Sequence, residues 1–188
     1  MTFSVCIFCG SSFGDDPRFR SAAEETGREI ARRAWTLVYG GAHVGLMGVV
    51  ADAALREGGR VVGVIPRFLY EREVGHDGIT SLEIVGSLTE RKLRMGELSD
   101  AFLSLPGGIG TLDELFEAWS WSQVGLQHKP SGLLNVAGYY DGLLAFVDRA
   151  LASGFMKPQH RDMLAVSADV GELLDGFESS LRGRPAAE

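Results

Sequence analysis

Short apolar runs alternate with longer amphipathic stretches along nearly the whole chain, and this alternation limits the folds open to it. Runs at 3–8, 36–39, 60–65, 101–105 and 132–135 read as strands, with a shorter one at 82–85. Helical periodicity falls at about 17–34, 45–57, 87–98 and 111–124, then at 139–152 and 169–181. Strand and helix in strict alternation mean βαβ units, and right-handed crossovers then build a parallel sheet covered on both sides. The expected fold is therefore α/β: a Rossmann-like, doubly wound parallel sheet with helices on both faces. No repeat or composition break divides the chain. We expect a single domain over 1–182 and a polar tail at 183–188.

The formal net charge of -7 argues against a general affinity for nucleic acid or for an anionic membrane surface. No apolar run is long enough to span a bilayer, and the N-terminal "MTFSVCIFCG" has no basic segment before its apolar run. These features suggest a cytoplasmic protein. Cys6 and Cys9 form a CxxC, but within a strand, where residues three apart point to opposite faces. A redox CxxC instead sits at a helix N-terminus, where the dipole lowers a thiol pKa. His43, His76, His128 and His160 are scattered with no pair at ligand spacing, so no metal site is expected.

Three glycine-bearing turns follow predicted strands: "CGSS" at 9–12, "YGGAHVGLMG" at 39–48 and "LPGGIGT" at 105–111. In a doubly wound sheet these turns share the edge at the carboxyl ends of the strands, where ligands bind. The set implies a phosphate or nucleotide site. The dinucleotide fingerprint fails, because Gly108 and Gly110 are followed by Asp113 where the third glycine belongs. A P-loop fails too, since no Gly-Lys pair occurs. A smaller ligand with a single phosphate is the better expectation.

The turn "PGGIGTLDE" opens a helix, yet it carries acids where an anion would bind. Thr111-Leu112-Asp113-Glu114 matches the capping box T-x-x-E, in which Thr111 caps the helix and Glu114 reaches back to its N–H. Glu114 is equally placed for catalysis, and the residues leave both roles open. Leu112, Leu115, Phe116 and Trp119 form the core stripe of this helix. Trp121 falls off that stripe and, with Trp119, is a candidate for an apolar dimer surface; packing within the subunit is the alternative. Upstream, "SLTERKLRMGEL" reads as a helix bearing Arg91, Lys92 and Arg94, whose N-terminal half leads towards the same sheet edge.

"PGGIGTLDE", the upstream "ERK", the "GLMG" of the second turn and "KPSGLLNVAGYYDGLL" together resemble the LOG family, the cytokinin riboside 5'-monophosphate phosphoribohydrolases. The match runs from about residue 4 to residue 156. The resemblance implies a Rossmann-like homodimer without cofactor or metal. Its substrate would be a nucleoside 5'-monophosphate, cleaved at the N-glycosidic bond of an N6-substituted adenine nucleotide to free base and ribose 5-phosphate. It places the catalytic pair on Arg91 and Glu114. The phosphate would lie against Gly107, Gly108, Gly110 and Thr111, with Ser11, Gly41, Lys92 and Asp113 nearby and Glu73 close to the substrate. A general AMP nucleosidase and a non-catalytic nucleotide or cofactor carrier are the alternatives; a carrier has no need of the Arg91–Glu114 pair.

Three departures from the family pattern leave base preference open: Asp113 for a second glutamate, Ala42 for a third glycine, and Leu88-Thr89 for Met-His. Members of the family are often labelled lysine decarboxylases. That chemistry needs a lysine for a Schiff base with pyridoxal phosphate. Lys92, Lys129 and Lys157 are the chain's only lysines, and none stands in a pyridoxal-like context.

Overall fold

Strand β1 (Ser4–Phe8) is apolar on both sides, with Val5 and Ile7 entering one core cluster and Cys6 and Phe8 another. A strand of this kind must be covered above and below. In the computed structural model, which describes residues 2–183 with the side chain of Glu73 excepted, it is central to one seven-stranded sheet. Beside β1 stand β2 (Thr36–Tyr39), β3 (Arg60–Pro66) and β4 (Ser81–Val85) on one side, and β5 (Ala101–Ser104), β6 (Ser131–Leu134) and β7 (Leu164–Ser167) on the other. The order is β4-β3-β2-β1-β5-β6-β7 and every pairing is parallel.

Helices α1 (Pro17–Arg32), α2 (Gly45–Arg56) and α8 (Val170–Arg182) bury one apolar stripe each in the cluster that holds Val5 and Ile7. The opposite face is covered by α4 (Leu88–Glu97), α5 (Ile109–Gln123) and α6 (Asp141–Ala152), through Met95, Ala118, Leu115, Trp119 and Val147. Short helices α3 (Arg67–Leu69) and α7 (Pro158–Arg161) complete the chain. Winding reverses between β1 and β5, so the crevice outside their carboxyl ends is the switch point where this architecture binds ligands. Residues 9–12 and 105–108 lie there, and Gly10 N–H donates to the Pro106 carbonyl across the crevice at 3.1 Å.

Three readings of the sequence need correction. Strand β7 was not expected: it is a four-residue edge strand with only Leu164 fully buried, too short and too weakly patterned to stand out. The segment after β3, to which the sequence assigned no element, contains α3 and a π-helical turn, Tyr70–Val74. Trp119 is a core residue, 3% exposed, with its indole N–H donated to the His160 carbonyl, and so cannot belong to a dimer surface. Trp121 packs beside Gly96 of α4. The polar tail lies outside the described residues beyond Gly183. Cys6 and Cys9 occupy different clusters, and burial pushes both thiols up.

The seam between α1 and α2 depends on one glycine. A Cβ at Gly27 would stand 2.3 Å from the Val50 carbonyl oxygen and 2.9 Å from Ala53 Cβ. Alanine is ordinarily about 1 kcal/mol better than glycine inside a helix. Here overpacking wins, and Gly27→Ala is expected to destabilise by about 1–3 kcal/mol. Urea unfolding monitored by circular dichroism checks the sign.

Candidate active site

Helix α4 is set in place by a capping box of its own. The Ser87 side chain accepts from Glu90 N–H at 3.1 Å, and Glu90 accepts from Gly86 N–H at 2.7 Å. The sequence is S-x-x-E, with the glutamate reaching one residue beyond the N-cap of the usual capping box. It fixes the helix start, and so projects Arg91 and Lys92 from the second turn towards α5. The capping box read at Thr111 and Glu114 does not form. Helix α5 begins at Ile109 with Gly108 as a cap that offers no side chain. Glu114 is thereby left for another partner.

That partner is Arg91, whose Nη2 donates to Glu114 Oε1 at 2.6 Å. Both side chains are largely buried, yet both line a cavity of about 460 Å³ at the switch point. Burial, reinforced by Asp113 and Glu117, pushes the Glu114 carboxyl up to about 7 against the opposing effect of Arg91 and Lys92. A carboxyl balanced near neutrality beside a guanidinium is suited to proton transfer or to facing a developing positive charge. The Arg91 Nε atom is buried without a protein partner, a donor available to a ligand oxygen.

The acids of the first turns are largely neutralised. Lys92 Nζ lies 3.0 Å from both Asp113 Oδ2 and Glu117 Oε2. Burial works against the Lys92 charge, but Glu117 and Asp113 outweigh it and hold its pKa above the ordinary range. Lys92 therefore bridges α4 and α5 at the cavity wall, with Asp113 and Glu117 as its counterions. A lysine held so firmly protonated is also unsuited to forming a Schiff base. Lys129 donates to the Gly96 carbonyl at 2.6 Å, and Lys157 stands at the start of α7.

The glycine turns meet without room for side chains. A Cβ at Gly45 would fall 2.2 Å from the Ser11 carbonyl carbon, and one at Gly107 2.1 Å from Thr111 Oγ1 and 2.8 Å from Gly10 N. Gly108 and Gly110 face open space at the N-terminus of α5, and both line the cavity with Thr111, Asp113 and Ser11. Gly41 is displaced from the expected role. At φ 74 it packs against Ile65 and Leu82, while its neighbours Gly40 and Ala42 line the cavity. The side chain of Glu73 lies outside those described; its neighbour Val74 and, earlier on the same segment, Leu69 form part of the cavity wall.

Two features were not read from the sequence. The 67–76 segment is stitched to the second glycine turn: His43 N–H donates to the Val74 carbonyl, His76 N–H to the Gly41 carbonyl, and Tyr39 Oη lies 3.0 Å from His76 Nδ1. A π-helical turn at a ligand cavity is a recurrent arrangement. Secondly, Tyr139 Oη donates to the Gly107 carbonyl and Tyr140 Oη to the Leu105 carbonyl, each at 2.7 Å. The pair clamps the PGG turn from outside. "NVAGYY" carried the signal, as two hydroxyl-bearing rings beside a glycine turn.

A family model described as "Possible lysine decarboxylase" matches residues 47–177. A protein of Oryza sativa subsp. japonica named "Probable cytokinin riboside 5'-monophosphate phosphoribohydrolase" is 50% identical over 93% of this chain and 77% of its own length. A cytokinin riboside 5'-monophosphate phosphoribohydrolase of Arabidopsis thaliana is 43% identical over 93% of this chain and 82% of its own. The chain belongs to the LOG family. Among solved structures, the molybdenum cofactor binding protein from Rippkaea orientalis superposes with a TM-score of 0.74 at 20% identity, covering 96% of this chain and 98% of its own. The Moco carrier protein from Chlamydomonas reinhardtii gives 0.69 at 21%, covering 98% and 100%. Those likenesses speak to the Rossmann-like fold of this LOG member alone.

The buried pair makes a sign-specific prediction. Removing Arg91 takes away the charge that favours ionised Glu114, so the Glu114 pKa rises further. The cost then appears where the carboxyl is ionised and fades where it is neutral in both proteins. Arg91→Ala is expected to lose about 3 kcal/mol at pH 8 and about 1 kcal/mol at pH 5. Urea titrations at the two pH values measure it; an equal loss at both would remove the ionic explanation.

Proposed function

We propose that this protein hydrolyses the N-glycosidic bond of N6-substituted adenosine 5'-monophosphates, releasing the free cytokinin base and ribose 5-phosphate. The observation that carries the reading is the Arg91–Glu114 pair, 2.6 Å apart and facing the same cavity as the glycine turn. The phosphate seats at the N-terminus of α5, on the backbone N–H groups of residues 108–111 and beside the Thr111 and Ser11 hydroxyls. The sugar then reaches Arg91 and Glu114. Met47, Leu69, Val74 and Leu88 supply an apolar wall for a substituted purine.

Cleavage of the C1'–N bond leaves its electron pair on the purine and positive charge on the ribose, as in oxocarbenium-like glycosidase transition states. Ionised Glu114 faces that charge and takes a proton from the water that attacks C1'. The departing purine takes up a proton from solvent as it leaves, and Glu114 returns the one it accepted to solvent, so that one water is consumed and the carboxylate is restored. Arg91 holds Glu114 in one orientation and offers its Nε to a sugar oxygen. A carrier would have no use for a carboxyl raised to about 7 at the ligand.

We further propose a homodimer in the cytoplasm. Ile109 is 87% exposed at the cavity mouth, and Leu93 and Phe116 are exposed apolar residues on α4 and α5. A partner covering them would close the site. No helix among the described residues is long and apolar enough to cross a membrane.

Chromatography of reactions with AMP and with N6-isopentenyladenosine 5'-monophosphate tests the activity. Wild type should release free base from both, faster from the substituted nucleotide, and Glu114→Gln should lower kcat by about 10²–10⁴ with the fold retained. Because the working form is the carboxylate, kcat/KM should climb with pH through about 7 and then level off. That limb should vanish in the Gln variant. A descending limb at the same pH would assign Glu114 as a proton donor instead. Light scattering should return twice the monomer mass, and a fully active monomer would refute the dimer.

A further inference from the structure

The switch point carries a second cavity of about 250 Å³, separated from the catalytic one by the phosphate turn. Gly10, Ser11 and Gly108 line both. Beyond that shared edge the walls are aromatic: Phe13, Phe19 and Tyr139. Phe13 is 50% exposed and Tyr139 44%, so both rings are open to a ligand. The Tyr139 ring is held edge-on to Phe19 at 5.2 Å and tied through its hydroxyl to the Gly107 carbonyl. The Arg20 guanidinium lies 5.4 Å from the centre of the Phe13 ring.

This cavity does not hold the base that is cleaved. Neither Arg91 nor Glu114 lines it, so a purine inside would carry its glycosidic bond away from both. A phosphate on residues 108–111 sends its ribose into the catalytic cavity and leaves its remaining oxygens towards the shared edge. Only glycines and a serine stand there. The volume is below that of an independent small-molecule site but fits one ring system attached to a ligand anchored next door.

We propose that the Phe13–Phe19–Tyr139 cavity is a subsite for an aromatic or nucleoside group joined through a second phosphate to the bound 5'-nucleotide, so that the cleft holds pyrophosphate-linked dinucleotides as well as monophosphates. The inference rests on the phosphate position argued above. The distal ring stacks among the aromatics.

The test measures AMP, ADP and P1,P2-di(adenosine-5') diphosphate on wild type and on Phe13→Ala, by competition with AMP hydrolysis and by calorimetry. The dinucleotide should bind at least five-fold more tightly than ADP. Phe13→Ala should erase that advantage and leave kcat/KM for AMP within two-fold of wild type. Equal affinity for ADP and the dinucleotide, or a Phe13→Ala loss shared equally by all three ligands, overturns the subsite. The two readings fail separately: a dinucleotide advantage without AMP hydrolysis would keep the subsite and remove the phosphoribohydrolase. Hydrolysis without the advantage would do the reverse.

Discussion

Everything at this site depends on backbone approaching backbone more closely than a Cβ permits. The first glycine turn touches the second where Gly45 meets Ser11, and the third touches the first where Gly107 meets Gly10. Contacts of 2.2 and 2.8 Å to a virtual Cβ cannot be relieved by rotating a side chain, because the obstructing atoms are main chain. The carboxyl ends of β1, β2 and β5 are thus drawn into one small patch, and the amides at the start of α5 open onto it. Tyr139 and Tyr140 secure this patch by donating their hydroxyls to the carbonyls of Gly107 and Leu105.

Charge is arranged around that patch by distance. Three carboxylates, Asp113, Glu114 and Glu117, stand near the anion end of α5, which would repel a phosphate if all were free. Lys92 bridges two of them and Arg91 takes the third. Glu114 differs from the others in burial, at 8% exposure. The same arginine that opposes the rise of its pKa also fixes its oxygen in place. A buried acid at the cavity is thereby made usable at neutral pH, because neither full ionisation nor full neutrality is enforced.

Much of this could be read from the chain. Periodicity located six of the seven strands and the six long helices, since each buries a stripe or a face strong enough to leave a pattern. Strand β7 escaped because an edge strand with one buried residue leaves almost none. The π-helical turn escaped because its placement depends on the contacts of 74–76 with the second glycine turn, which no local pattern encodes. At the site, the family resemblance singled out Arg91 and Glu114, which the fold pairs, while nothing in the chain signalled the partners of Lys92. A capping box was read one helix too late: T-x-x-E at 111–114 and S-x-x-E at 87–90 look equivalent in sequence. Gly108 decides between them, because a helix that starts three residues earlier than a Thr111 cap would allow leaves Thr111 in its first turn and Glu114 free.

The likeness to molybdenum cofactor carriers shows how little the sheet alone decides. At 20% identity a TM-score of 0.74 speaks to a shared fold, and so to a shared crevice between β1 and β5, and to nothing that the crevice does. Catalysis needs something that the crevice does not supply: a second element that brings a cation to the carboxylate on α5. Here that element is α4, started by Ser87 and Glu90 so that Arg91 and Lys92 meet Glu114 and Asp113 on the facing helix. A shift of one residue in that start would rotate both cations by about 100° around the helix, away from their partners. The charge arrangement at the cavity therefore depends on the cap of the preceding helix as well as on the glycine signature.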